Sequence, residues 1–317
     1  MSLTSGGTPP TDVEAAAHAC GFLPAPWNVY WERVAPVGER RRERPLVLLH
    51  GSNQTGACYR VRVDGTPGWV NDFVRAGYEC WTCDWPGTGR SGHVPLDRLD
   101  FRFLIGAMAA LVEQIGRPVD VIGHSMGGYT SLKLRERLPG RVRRVVAVAP
   151  SPPRELTPRS EVLHDDGRTA IVKFAYTVTF EVDRTRPYVP TDEYVERQVI
   201  GLSTRFPRQH ADRLRASLQT IPPLLLLERL NVRDDPFLEI GDRGAFRGAR
   251  ILVLTGTHDP VHPRAVDAGT ADFLRGCGAD VDFRWLGDVG IEGNGHLLMG
   301  EDNASEIAGL ILDWLDR

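Results

Sequence analysis

The sequence predicts an α/β fold: a mostly parallel central sheet flanked by helices, with a helical insertion that caps it. Three observations carry this expectation. Short β-branched runs alternate with amphipathic stretches between 46 and 150, as strands covered on both faces do. The alternation stops at about 151 and resumes at Arg250-Ile251-Leu252-Val253-Leu254. A G-x-S-x-G pentapeptide, Gly123-His124-Ser125-Met126-Gly127, stands between a strand-like run and a helix-like one. The chain divides accordingly into an N-terminal tail (1–26), a core (27–150 and 247–317) and a cap (151–246).

In chain order, residues 1–26 read as a tail with a short helix around Val13–Cys20, and 27–37 as an early strand or hairpin. Leu46-Val47-Leu48-Leu49 is a buried strand ending in His50-Gly51-Ser52. A helix over 68–76 leads to a strand over 78–84, which runs into the glycine-rich turn Pro86-Gly87-Thr88-Gly89-Arg90-Ser91-Gly92. Apolar spacing predicts a helix over 101–115. The strand Pro118–Ile122 feeds the pentapeptide, a helix follows over 126–138, and 144–149 is again β-branched. The insertion lacks short apolar strand runs and is broken by prolines such as Pro152, Pro187 and Pro222, so it reads as helix and loop. After the strand at 251–254 come a helix near 265–275, a strand over 281–286 and a final amphipathic helix over 304–315.

The 317 residues are 42% hydrophobic and 25% charged, enough for a substantial core. A net charge of −3 gives no electrostatic case for nucleic acid or an anionic membrane. The run Arg40-Arg41-Arg42-Glu43-Arg44 reads as a solvated loop. The cysteines (Cys20, Cys58, Cys80, Cys83 and Cys277) are odd in number and scattered, so they make no disulfide framework. Cys80 and Cys83 fall in one strand, where residues three apart face opposite ways, which argues against a redox or zinc pair. The N-terminus lacks the charged and apolar regions of a signal peptide, and no stretch is long and apolar enough to span a bilayer. These readings imply a reduced cytoplasmic setting, a small-molecule partner, no nucleic acid and no membrane insertion.

The pentapeptide carries the chemistry. A serine at a sharp strand-to-helix turn stands clear of the sheet, and the amide of Met126 at the helix start points to where an oxyanion would form. Ser125 needs a base, and His296 is the best placed, after the last strand and before the final helix. His258 and His262 are rivals in another loop. The base needs an orienting carboxylate; Asp259, directly after a buried strand, is the first choice and Glu155 the second. The second oxyanion amide is expected from Ser52, with His50 and His124 as bracing residues. No H-E-x-x-H or paired C-x-x-C suggests a metal, and the expected chemistry needs no cofactor.

Taken together, Leu49-His50-Gly51, the turn from Asp84 to Gly92, the pentapeptide, Gly256…Asp259 and His296 resemble the α/β-hydrolase superfamily. The likeness covers most of the chain. More narrowly, His50-Gly51-Ser52-Asn53-Gln54-Thr55-Gly56 and Gly293-Asn294-Gly295-His296-Leu297-Leu298-Met299 are similar to segments of a branch of bacterial esterases. That branch ends the strand after the elbow helix with a glutamate acid; here Ala149-Pro150 stand there, which favours Asp259. The resemblance implies the α/β-hydrolase fold, the triad order Ser125, Asp259, His296, and hydrolysis of a carboxylic ester, lactone or thioester through an acyl-enzyme. The cap offers Phe174, Tyr176, Phe180, Tyr188, Tyr194, Phe206 and Leu224–Leu227, either as a pocket for a hydrophobic or aromatic substrate or as its own small core; Trp85 is expected near the pocket. Alternatives are a lyase or cyclase on the same scaffold, or a ligand-binding protein with a vestigial triad.

Overall fold

The computed structural model describes residues 17–174, 178–233 and 235–317. Eight strands form the main sheet: β1 (His18–Phe22), β2 (Tyr30–Val34), β3 (Leu46–Leu49), β4 (Cys80–Cys83), β5 (Val119–His124), β6 (Val142–Val148), β10 (Arg250–Thr255) and β11 (Asp280–Trp285). Their spatial order is β1-β2-β4-β3-β5-β6-β10-β11. β1 lies antiparallel to β2 and β2 to β4, and all other neighbours run parallel.

The parallel strands are buried on both sides because successive residues enter two separate apolar layers. Leu46 and Leu48 join the layer that holds α1 (Trp69–Arg75) and α8 (Ala304–Leu315). Val47 and Leu49 join the layer that holds α2 (Phe101–Ile115), α3 (Met126–Arg137) and α7 (Arg264–Gly276). Cys80 lies in the first layer and Cys83 in the second, so the two thiols are on opposite faces of the sheet.

Two expectations need correction. Residues 18–20 belong to a strand, not a helix: His18–Phe22 pairs with Tyr30–Val34 along the sheet edge. Gly21 permits this, because a Cβ there would come within 2.7 Å of the Trp31 ring. The rest of the expected helix, and the tail before residue 17, lie outside the described residues. The insertion, expected to be helical, also carries a three-stranded antiparallel sheet: β7 (Glu161–Asp165), β8 (Thr169–Phe174) and β9 (Val178–Asp183). In β9, Val178, Phe180 and Val182 are buried while Thr179 and Glu181 are exposed. That period-two pattern marks a half-buried strand, which a search for continuous apolar runs passes over. Helices follow as α4 (Asp192–Tyr194, continued by a π-turn to Ile200), α5 (Ala211–Ser217) and α6 (Pro223–Arg229).

Candidate active site

Ser125 occupies the tight turn between β5 and α3 with φ 55° and ψ −121°, a conformation that L side chains rarely adopt. The residues two positions to either side must be glycine. A Cβ on Gly123 would lie 2.1 Å from the Gly127 carbonyl oxygen, and one on Gly127 would lie 2.2 Å from that of Leu49. The turn is pinned by the Ser125 amide donating to the Val148 carbonyl (2.9 Å) and by the Ser125 carbonyl accepting from the Gly128 and Ser151 amides. The Ser125 hydroxyl makes no hydrogen bond among the described residues. Met126 opens α3, so its amide has no acceptor within the helix.

His296 and Asp259 meet, although 37 residues separate them. His296 Nδ1 lies 2.6 Å from Asp259 Oδ2, and the carboxylate is fully buried. Asp259 Oδ1 accepts from the amides of Val261 (2.9 Å) and His262 (3.2 Å). Burial alone would raise this carboxyl; the His296 and His262 rings and the hydrogen bonds outweigh it and hold the group well below the usual carboxylate range. Glu155, the second choice, lies elsewhere: its Oε1 accepts from the Ile240 amide at 2.9 Å.

The histidine loop is fixed by residues the sequence did not single out. Glu301 Oε1 accepts from the Gly295 amide (2.7 Å) and the Ser203 hydroxyl (2.5 Å), while its Oε2 accepts from Asn294 Nδ2 (2.6 Å). Thr257 Oγ1 accepts from the Gly293 amide at 2.9 Å, tying this loop to the one that holds Asp259. A Cβ on Gly256 would lie 2.4 Å from the Asn294 carbonyl oxygen, so the two loops approach backbone to backbone. A Gly-Asn-x-His segment followed by an acid five residues on was the available signal for Glu301.

The other histidines separate by environment. His124 Nε2 lies 2.9 Å from the His296 carbonyl oxygen, and the two rings are 4.6 Å apart. Burial, the first cause, and the neighbouring His296 hold His124 well below an ordinary imidazole, so it braces the elbow as a neutral ring. His50 is stacked on Trp85 at 4.6 Å and accepts from the Trp85 amide at Nε2 (3.2 Å); burial pushes it down to about 4. Trp85, expected near the pocket, is instead 1% exposed beneath this stack. His258 Nδ1 lies 2.8 Å from its neighbour Thr257 Oγ1. His262 is different. Its Nδ1 lies 3.1 Å from Asp267 Oδ1, Thr255 donates to the same carboxylate, and its ring stacks on His296 at 5.1 Å and 16°. Burial would lower His262, but Asp267 and Asp259 outweigh it and raise it. A second histidine–carboxylate pair thus lies against the first.

Asp259, His262 and His296 place ligand atoms within 4.8 Å of one another, close enough in principle to surround a metal ion. The donors are already committed: a 2.6 Å contact between Asp259 and His296 is a hydrogen bond, and the other Asp259 oxygen is held by two amides.

Against the elbow, the loop after β3 carries Ser52, 5% exposed, whose amide has no acceptor among the described residues. The neighbouring Asn53 keeps a buried Nδ2 without a partner. The loop is held against β4 by the buried Asp84, whose Oδ1 accepts from the Gly56 amide (3.0 Å) and whose Oδ2 accepts from Arg90 (2.8 Å). That is the work of the glycine-rich turn.

A cavity of about 560 Å³ opens beside the elbow, bounded by Met126, Tyr129 and Ser151 on one side and by Pro260 to Pro263 on the other. Its far wall is formed by the insertion, residues 151–246. Of the cap aromatics, Phe174 lines it. Phe180, Tyr188 and Tyr194 pack on one another at 5.4–6.4 Å and form the cap's own core. Leu225, Leu226 and Leu227 are buried, Phe206 lines a separate cavity of about 230 Å³, and Tyr176 lies outside the described residues.

The comparisons agree with this architecture. Residues 46–310 match the family described as "Alpha/beta hydrolase family". The chain is 25% identical to the protein named Probable secreted lipase phiG of a fungal species, over 92% of this chain and 86% of that one. Among solved structures it is similar to a monoacylglycerol lipase of Paleococcus ferrophilus, with a TM-score of 0.61 and 18% identity over 90% and 98% of the two chains. A thermophilic esterase of Thermogutta terrifontis matches with a TM-score of 0.57 and 15% identity over 95% and 98%. No helix among the described residues is long and apolar enough to cross a membrane. With the matched segment running from β3 into α8 and carrying Ser125, Asp259 and His296, the chain belongs to the alpha/beta hydrolase family.

Proposed function

We propose that the protein is a cofactor-independent serine hydrolase that cleaves a carboxylic ester or lactone, or a thioester, of a small molecule with a hydrophobic or aromatic body. The observation that carries this reading is the 2.6 Å His296–Asp259 pair, packed against His124, the residue before an elbow serine whose hydroxyl is free. Asp259 fixes the His296 tautomer, with the proton on Nδ1, and leaves Nε2 as the base. Ser125 Oγ attacks the substrate carbonyl as His296 takes its proton. The amides of Ser52 and Met126 receive the oxyanion, and His296 then protonates the leaving oxygen. The same ring activates water to release the acyl group. The names of the lipase and esterase relatives favour ester hydrolysis. Five free cysteines support a reducing, cytoplasmic location.

The test is intact-protein mass spectrometry after treatment with a fluorophosphonate. A single adduct on the wild type, absent from Ser125→Ala, is expected. A folded wild type that takes no adduct would turn the assignment toward a lyase, a cyclase or a ligand-binding protein.

A further inference from the structure

The cavity beside the elbow ends on a wall for which the proposed chemistry has no use. This wall holds three buried polar atoms without a partner: Ser160 Oγ, Arg229 Nη1 and Asn231 Oδ1. All three residues line the cavity. Asn231 is 5% exposed, and its Nδ2 donates to the Thr157 carbonyl at 2.6 Å, which fixes Oδ1 as a free acceptor. A buried polar group left unpaired costs about 1–3 kcal/mol. Three of them on one wall of a cavity mark a place that a ligand completes.

Charge points the same way. Arg229, the last residue of α6, lies over the Phe174 ring at 5.4 Å and makes no ion pair among the described residues. Arg229 lines the cavity across which Pro260, Val261 and His262 form the other side. The neighbouring Glu228 does not neutralise it: one carboxylate oxygen accepts from the Phe101 amide (2.8 Å) and the other from Arg233 (3.3 Å). Burial pushes Glu228 up to about 7, which reduces its negative charge further. Lys173, on the same wall, is balanced by Glu161 at 3.8 Å.

We infer that this wall is an oxyanion subsite, and that the substrate is an ester or lactone carrying a free carboxylate at the end remote from its scissile carbonyl. Arg229 and the Ser160 hydroxyl hold the carboxylate, and a neighbouring hydroxyl or N–H of the substrate donates to Asn231 Oδ1. A guanidinium is suited to this task because its planar donors match a carboxylate. The inference rests on the hydrolase reading for the scissile bond but not for the subsite itself.

The experiment compares monophenyl adipate with its methyl ester, following phenol release. The wild type should favour the acid by at least tenfold in kcat/KM. Arg229→Gln should bring the ratio close to one, Arg229→Lys should keep most of it, and Ser160→Ala should lower it about threefold. In parallel, calorimetry of monophenyl adipate with Ser125→Ala should give binding about tenfold tighter than with the Ser125→Ala/Arg229→Gln pair. Equal use of acid and methyl ester by the wild type, or a preference that survives Arg229→Gln, overturns the subsite while leaving the hydrolase standing. Acid-selective binding without phenol release from either ester supports the subsite and removes the hydrolase.

Discussion

The loops that hold Asp259, His262 and His296 and the cap wall that faces them are built on opposite rules. In the loops and the first turn of α7 behind them, every buried side-chain nitrogen or oxygen has a partner: Asp259 with two amides and a ring, Glu301 with three donors, Asp267 with a hydroxyl and a ring. On the wall, Ser160, Arg229 and Asn231 each keep an atom unpaired. A network completed by the protein itself is rigid before any substrate arrives, as electrostatic catalysis requires. A network left incomplete is finished by whatever enters. The difference separates the part of the molecule suited to making and breaking bonds from the part suited to choosing a substrate.

Substitutions in the loops should therefore act on kcat and those in the wall on selectivity. The largest expected effect is that of Ser125→Ala, a fall of about 10⁴-fold or more in kcat with melting temperature little changed. A variant that retains near-full turnover in stopped-flow assays would exclude Ser125 as the nucleophile. Asp259→Asn should come next, at about 10³–10⁴-fold, because an amide no longer fixes the tautomer of His296. Glu155→Gln should change kcat less than about twofold, since the amide oxygen can still accept from Ile240. A reversed order would move the acid to Glu155.

A smaller effect sharpens the comparison within the loops. Asp267→Asn should cost about 3 kcal/mol in urea denaturation at pH 6, because it breaks a buried pair. Its sign with pH is distinct. His262 is raised in the folded state, so its contribution is complete below about pH 6.5 and disappears as pH rises through its folded value. His50 is lowered to about 4, so its effect runs the other way: stability is complete above about pH 6.5 and is lost as pH falls toward 4. Asp259 adds a further loss below about pH 4. Denaturation midpoints should thus decline on acidification in both proteins, while the decline between about pH 6.5 and 8 should be present in the wild type and much reduced in Asp267→Asn; above about pH 8.5 the buried thiols of Cys58, Cys80 and Cys83, raised by burial, give a further loss common to both. An unchanged decline between about pH 6.5 and 8 in the variant would remove His262 as its source.

What was legible in the sequence follows from the same distinction. The elbow, β3, β4, β5, β6 and β10 are written in local patterns: β-branched runs and glycines at positions where a Cβ has no room. Asp259 could be chosen because it follows a buried strand at the end where the elbow also lies. The cap sheet was missed because Thr169–Phe174 and Val178–Asp183 bury only alternate residues. The Asp267 contacts join the first turn of α7 to the end of β10 and the loop after it, the Glu301 contacts arise from a loop folded back on itself, and the wall joins residues 160, 229 and 231 through packing alone. No periodicity encodes an atom that lacks a partner.

One residue links folding and chemistry most directly. Ser125 is held at φ 55°, where glycine would rest more easily. The backbone and the proposed reaction therefore ask for different amino acids at the same position. Selection for heat resistance alone would press this site toward glycine, and under the proposed mechanism that change would silence the protein, so a serine here is held by use rather than by stability.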